Sequence, residues 1–120
     1  MPPYIEMLLD KSFEIIPGES YNQYRLEVEE QVAKSYLFYE VPIMEEKPWR
    51  FIRDREYPLF ARYIKAKGLD PTTGYGVVVA VFRGDRCYLM SGEDFLKTYR
   101  EMEGIDALSL SQKIKQWLAT

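Results

Sequence analysis

The stretch "GYGVVVAVFRGDRCYLM", Gly74 to Met90, decides the fold of this chain. Two apolar runs lie on either side of Gly84-Asp85, a dipeptide suited to a tight hairpin turn because glycine adopts a positive φ without steric cost. The first run, "VVVAVF", is continuously apolar, which is typical of a strand covered on both faces of its sheet. The sequence therefore predicts a β-hairpin whose first strand is central in a sheet.

The residues before this hairpin predict a second hairpin, a helix and a strand. "YIEMLL" and "SFEIIPG" are short apolar runs joined at Asp10-Lys11, which indicates an N-terminal β-hairpin. Apolar residues then recur at helical intervals, so we expect a helix over about 20–34. "SYLFYEVPIM" is rich in aromatic and β-branched residues and predicts a strand over about 35–43, with Pro42 at its end or at a sheet edge.

Three further helices complete the predicted elements. Asp54 can cap a helix that has Pro58 in its first turn, where a missing N–H costs little, and Gly68 as its stop signal. Two shorter helices are expected over 91–102 and 109–118. The predicted fold class is α+β, with a mixed or antiparallel sheet built from two hairpins and a middle strand and flanked by four helices.

The amino-acid composition limits the classes of protein to which this chain can belong. The 120 residues fit one domain, 1–120, and 47% hydrophobic with 15% aromatic content indicates a folded globule. A single cysteine, Cys87, and the absence of His exclude zinc sites of Cys and His and any Cys-His nucleophile. No apolar run is long enough to span a bilayer, so we expect no membrane partner. Because a single cysteine cannot form an internal disulfide, we also expect a reducing cytoplasm. Abundant Glu, Lys, Arg and Tyr lean toward a thermophilic source.

The segment "KPWRFIRDREYPLFARYIKAK", Lys47 to Lys67, is unlike the rest of the chain, and we call it the basic-aromatic window. It holds seven Lys/Arg and two acids, a net charge of +5 in a chain of −3, so the remainder carries −8. Five aromatic rings lie among these cations. Lys and Arg neutralise phosphates, and aromatic rings stack on the bases of single strands. The window therefore predicts binding of single-stranded DNA or RNA.

Individual roles follow from this prediction. We expect the rings of Trp49, Phe51 and Tyr57 to stack on bases. The cations expected to engage phosphates are Arg50, Arg53, Arg55, Arg62 and Lys65. Residues 49–53 are expected in an exposed approach to the helix that Asp54 caps. The alternative is that the aromatic residues of the helix belong to the core and that its charges form an ordinary solvated face.

Carboxylates offer a different class of function. Metal-dependent nucleases hold Mg²⁺ with two or three acids, often beside a lysine. Glu45 and Lys47 have an acid-x-Lys spacing after a predicted strand, and Glu27 on the preceding helix could supply another acid. Under this alternative the three residues would be catalytic and Mg²⁺ would be the cofactor, although surface charges explain them equally well. The primary expectation is a binding domain without catalytic residues, metal or cofactor.

The C-terminal helix has an apolar face made by Ile114, Trp117 and Leu118. It either docks on the core or forms an interface with a second copy, giving a homodimer, or with a partner protein. In a third alternative, an assembly subunit uses Trp117 and the acidic remainder to contact a basic partner. The tripeptide Arg83-Gly84-Asp85 occurs in integrin ligands, but a hairpin turn explains it fully.

Two resemblances point to nucleic acid. From Arg53 onward, the order of a helix, "GYGVVVAVF", a turn, "RCYLM", the helix "EDFLKTYREM" and "GIDALSLSQKIKQWL" resembles the C-terminal half of archaeal Holliday-junction resolvases of the PD-(D/E)XK nuclease superfamily. The resemblance carries Glu45 and Lys47 over to the acid and lysine of that motif. The proline-aspartate hairpin of the family has no counterpart, which implies a binding relative without its metal site.

The second resemblance is to structural subunits of archaeal tRNA-splicing endonucleases. "YIEMLLDKSFEIIPGE" looks like their opening hairpin, and "YPLFARYIKAKG" looks like the helix before their central strands. Their final strand and catalytic His are missing from this chain. Both resemblances imply a nucleic-acid partner, and neither supplies a complete active site.

Overall fold

The order of elements is that of an α+β domain. The computed structural model of the protein describes residues 14–31, 36–43 and 47–120. Helix α2 covers 48–66 in three continuous segments, Pro48–Phe51, a π turn at Ile52–Glu56, and Tyr57–Ala66. The other elements are β1 (Glu14–Pro17), a 3-10 turn (Gly18–Ser20), α1 (Tyr21–Gln31), β2 (Leu37–Pro42), β3 (Val77–Arg83), β4 (Arg86–Ser91), α3 (Gly92–Glu103) and α4 (Ala107–Ala119).

The four strands form one mixed sheet in the order β1-β4-β3-β2. Strands β3 and β4 form the predicted hairpin, with Gly84 in the turn at a φ of 59°. Strand β2 pairs in parallel with β3 and ends at Pro42, at the edge of the described sheet. The sheet confirms the predicted fold class. Of the expected N-terminal hairpin, only β1 lies within the described residues.

Strand β3 is covered on both faces, as its continuous apolar run predicts. Val77, Val79 and Val81 belong to the main core, which α2, α3 and α4 complete. The alternate residues of β3 face a smaller cluster that Tyr21 and Tyr24 of α1 cover. Helices α1 and α2 therefore lie on opposite faces of the sheet.

Helix α2 begins earlier than the sequence predicts. Pro48 stands in its first turn, with Lys47 as the residue before it, so the expected start at Asp54 is wrong. Pro58 lies in the helix interior, where its ring has no N–H and would clash with the carbonyl group four residues earlier. The chain widens into the π turn immediately before Pro58, and such a wide turn accommodates the proline without ending the helix.

The last two helices are confirmed, and their start signals are visible. The Ser91 hydroxyl accepts a hydrogen bond of 3.1 Å from the backbone N–H of Asp94 at the start of α3. The Asp106 carboxylate accepts one of 2.8 Å from Ser109 N–H, so α4 starts two residues earlier than expected. Within the described ranges, no helix is long and apolar enough to cross a bilayer.

Stability is expected to fall in alkaline solution. Burial raises the pKa of the Cys87 thiol and of the Tyr99 phenol to about 12, and it also raises the pKa of Tyr21, Tyr39 and Tyr57. In the unfolded chain these groups ionise near pH 8.5 for Cys and near pH 10 for Tyr. Above those values the unfolded chain releases protons that the folded chain retains, so the free energy of unfolding decreases as the pH rises.

Urea unfolding at pH values from about 8 to about 11 would measure this loss, with tyrosinate absorbance as a second readout. We expect Tyr21, Tyr39, Tyr57 and Tyr99 to resist ionisation until the protein unfolds. An unchanged urea midpoint across this range would contradict the burial of these groups.

Candidate nucleic-acid interface

Cations of the basic-aromatic window lie directly over its aromatic rings. The guanidinium carbons of Arg50 and Arg53 are 5.6 and 5.2 Å from the centre of the Trp49 ring. The guanidinium carbon of Arg55 is 5.1 Å from the centre of the Phe51 ring. These are cation–π distances, and the spacing of four residues in two of the three pairs places the side chains on one side of a helical turn.

The rings of Trp49 and Phe51 are anchored but remain accessible. Both side chains are half-buried and pack against the main core. Arg50 and Arg55 are exposed. The expectation that residues 49–53 lie in an open approach to the helix is wrong, because they occupy the first turns of α2. The helix nevertheless brings these rings and cations together at the surface.

Arg53 is the predicted phosphate ligand that already has acidic partners. Its Nε lies 2.8 Å from Asp54 Oδ1 and 3.7 Å from Glu103 Oε1. The hydrogen bond from Arg53 lowers the pKa of the Asp54 carboxyl group. A phosphate would therefore have to compete with two carboxylates for Arg53, whereas Arg50 and Arg55 have their cation–π partners on α2.

Arg62 and Lys65 lie farther along α2. The Arg62 Nε donates to the Trp117 carbonyl oxygen at 3.2 Å, and its Nη2 donates to Thr120 Oγ1 at 2.7 Å. Arg62 thus ties the end of α4 to α2 while its side chain remains exposed. Lys65 is exposed in the last turn of the helix, more than two turns from the Phe51–Arg55 pair.

Tyr57 is in the core, and the prediction that its ring stacks on bases is wrong. Its side chain is 0% exposed. The ring is stacked on Phe95 with centres 4.2 Å apart, and it lies 4.7 Å from the Tyr99 ring. Tyr57 follows the π turn and belongs to the apolar stripe that continues through Phe60 and Ile64, so it faces the main core, where α3 contacts it.

A further aromatic pair was missed by sequence reasoning. Lys67 Nζ lies 5.7 Å from the centre of the Tyr63 ring, and the four-residue spacing of this pair was visible in the sequence. Tyr63 also contacts Tyr39 of β2, with ring centres 5.5 Å apart. Tyr39 donates a hydrogen bond of 2.6 Å to Oε2 of Glu56, which is only 7% exposed in the π turn. This partly buried hydrogen bond fixes β2 against α2, and no pattern in the sequence indicates it.

The two residues of the nuclease alternative that the structure describes, Glu27 and Lys47, lie on opposite sides of the sheet. Glu27 lies exposed on α1 and accepts a hydrogen bond of 3.1 Å from Gln23. Lys47 is exposed at the start of α2, on the other side of the sheet. Glu45 lies outside the described residues. In the part of the chain that the structure describes, no three His, Cys, Asp or Glu side chains are grouped to hold a metal ion.

Comparisons with known proteins assign no family. No family model, no curated protein and no solved structure matches this chain. The resemblances to Holliday-junction resolvases and to tRNA-splicing endonuclease subunits therefore stay predictions. Function has to be argued from the side chains that the fold places together.

The apolar face of α4 docks on the core, which was one of the two expectations for it. Ile114 is fully buried, so its assignment to an interface is wrong. Trp117 and Leu118 are half-buried and pack against the same core, and the Trp117 ring lies 5.2 Å from Tyr99. The helix is thus held by intramolecular contacts along this face.

Proposed function

We propose that this chain binds single-stranded DNA or RNA through the first turns of α2 and does not cleave it. The observation that supports this function best is the stacking of Arg50 and Arg53 on Trp49 and of Arg55 on Phe51. Unpaired bases stack on aromatic rings and on guanidinium planes alike. Each of these arginines also carries the charge that attracts a phosphate. One surface can therefore bind both parts of a nucleotide.

The charge of the window supports the same function. The whole chain is acidic, but the potential near a binding surface depends on the charges closest to it. Lys47, Arg50, Arg55 and Lys65 are exposed along α2. On α2 only Asp54 opposes them at the surface, because Glu56 is buried, and Glu103 of α3 adds one carboxylate beside Arg53. A polyanion approaching α2 therefore meets a positive surface.

Helix α2 presents these side chains on a rigid base. Ile52, Phe60 and Ile64 are fully buried and fix the helix on the sheet. The half-buried rings of Trp49 and Phe51 lose little further freedom on binding, since their packing already restricts them. Preorganisation of this kind lowers the entropic cost of association.

The proposal includes no cofactor, and it places the protein in the cytoplasm. The nuclease alternative would need Mg²⁺ and Glu45 together with Lys47, and cleavage that disappears in EDTA would reveal it. The assembly-subunit alternative predicts a chain that binds no oligonucleotide without a partner protein.

The Trp49→Ala variant is expected to bind single strands about 5- to 150-fold more weakly, because stacking contributes about 1–3 kcal/mol per base. Fluorescence anisotropy with labelled single-stranded DNA, single-stranded RNA, duplex and four-way junction, without divalent metal, would measure it. For single strands, log K is expected to fall by about 0.7 per phosphate contact for each decade of salt.

Two further variants make this test specific. Tyr75→Ala removes an exposed ring outside the window and should leave binding unchanged. Arg50→Ala removes an exposed guanidinium without opening the core, so it should weaken binding even if Trp49→Ala disturbs the fold. Absence of binding to any substrate at low salt, or full binding by both window variants, would overturn the proposal.

A further inference from the structure

Among the described residues, the face opposite the basic-aromatic window is acidic. Its only described cation on α1 is Arg25, which lies 3.6 Å from a carboxylate oxygen of Glu40. We call this surface the acidic face. Its described carboxylates, on α1 and on the strands and turn beside it, are Glu14, Glu19, Glu27, Glu29, Glu30 and Glu40. Because α1 and α2 cover opposite faces of the sheet, the two charged surfaces point away from each other.

Each of these surfaces also has an exposed leucine. On α1, Leu26 is 54% exposed, and Glu29 and Glu30 follow it by three and four residues, on the same side of the helix. On α2, Leu59 is 36% exposed. Exposed arginines border it, with Arg62 three residues later and Arg55 four residues earlier. The exposed leucine of α1 is thus bordered by acidic side chains, and the exposed leucine of α2 is bordered by cations.

We infer that copies of this chain associate head to tail, with α1 of one copy on α2 of the next. In this arrangement Leu26 contacts Leu59, while Glu29 and Glu30 lie near Arg55 and Arg62. Contact of α1 with α1 would instead oppose carboxylates, and contact of α2 with α2 would oppose arginines. Charge complementarity therefore selects two different surfaces for the contact.

A contact between two different surfaces has a structural consequence. It leaves one acidic face and one basic surface unused at the ends, so it extends into an open chain of copies instead of closing into a two-fold dimer. Two leucines and a few exposed ion pairs make a weak contact that salt screens. Arg55 also belongs to the proposed nucleic-acid surface, so single strands are expected to compete with self-association.

Sedimentation velocity of the full chain without nucleic acid tests this inference. We expect the mean sedimentation coefficient to rise with protein concentration at about 0.01 M salt, where the Debye length is about 30 Å. At about 1 M salt, where it is about 3 Å, the protein should be a monomer. A monomer at low salt at every concentration would overturn the inference, as would an association that saturates at two copies.

Substitutions of matched charge identify the two surfaces. Glu30→Lys should abolish the concentration dependence. The Gln112→Lys/Gln116→Lys variant changes the net charge equally on exposed positions of α4 and should retain it. Arg55→Glu should also abolish it, whereas Gln112→Glu/Gln116→Glu should not. An equimolar mixture of Glu30→Lys and Arg55→Glu should associate again, because the unchanged α1 of the Arg55→Glu copy can contact the unchanged α2 of the Glu30→Lys copy, and the two reversed surfaces also complement each other in charge.

Failure of this inference is distinguishable from failure of the proposed function. Glu30→Lys lies on the side of the sheet away from α2, so it should bind single strands as the wild type does at protein concentrations low enough for the wild type to be a monomer. Self-association that persists in Glu30→Lys, or a mixture that stays monomeric, would contradict the head-to-tail contact whatever the anisotropy titration shows.

Discussion

Replacing Tyr57 by alanine is expected to lower the free energy of unfolding by about 3–5 kcal/mol, which is the usual cost of removing a large buried aromatic side chain. The ring is fully buried between α2 and α3, stacked on Phe95 and next to Tyr99. Neither neighbour can fill the space without leaving its own contacts. Urea unfolding followed by circular dichroism would measure the loss.

Tyr57→Phe should behave differently, because it keeps the ring and removes only the hydroxyl group. That hydroxyl is buried and has no hydrogen-bond partner among the described residues. An unsatisfied buried polar group costs about 1–3 kcal/mol, so its removal should be neutral or stabilising. Single-strand binding should also remain unchanged, since Tyr57 does not reach the surface.

Tyr39→Phe is the matched control for this variant. It removes a hydroxyl that donates to the Glu56 carboxylate at 2.6 Å, and it leaves that nearly buried group without this donor. We expect a loss of about 1.5–3 kcal/mol. Equal effects of the two Tyr→Phe substitutions would show that the Tyr57 hydroxyl has a partner after all.

Gly92→Ala is expected to destabilise the protein by about 3 kcal/mol, although alanine is ordinarily the better helix former. A Cβ at Gly92 would lie 2.2 Å from the carbonyl oxygen of Gly74. Both contacting groups are backbone, and Gly74 is itself buried with a φ of 70°, so neither can move as a flexible side chain would. The loop before β3 and the start of α3 would have to separate.

Two neighbouring variants separate the clash from other effects. Glu93→Ala introduces alanine in the same first turn at an exposed position and should change stability little. Gly68→Ala places a Cβ at a φ of 80° with no described atom within 4 Å, so only backbone strain of about 1–2 kcal/mol is expected. Thermal unfolding of the three variants would rank them, and a Gly92→Ala protein as stable as wild type would contradict the close approach of the two glycines.

The sheet was more predictable than the long helix. The hairpin of β3 and β4 could be derived because its apolar runs and Gly84 are local signals that no distant contact opposes. The start of α2 could not, because Pro58 is also a common residue of a first helical turn. The structure shows that the proline stands inside the helix, because the backbone is already helical from Pro48 and buries Ile52 and Glu56 before the proline is reached.

The candidate site could be predicted only in part, because composition shows which residues a segment contains but not which of them are buried. Arg50 and Arg55 were selected by composition and are exposed, because charged side chains rarely leave the surface. Tyr57 was selected by the same composition and is buried, since a tyrosine fits both a core and an interface. The role of Arg62 depends on Trp117 and Thr120, more than fifty positions away, and sequence spacing alone does not reveal such a contact.

The π turn determines how the side chains of Pro48–Phe51 are oriented around the helix axis relative to those of Tyr57–Ala66. Over Ile52–Glu56, the wide turn rotates the backbone around the helix axis by roughly a quarter turn less than five residues of α-helix would. Trp49 and Phe51 are consequently oriented by the width of this turn as much as by their place in the sequence. Gain or loss of one residue here, the smallest change in length available to evolution, would rotate their cation–aromatic pairs around the helix axis while leaving the α-helix of Tyr57–Ala66 seated on the sheet.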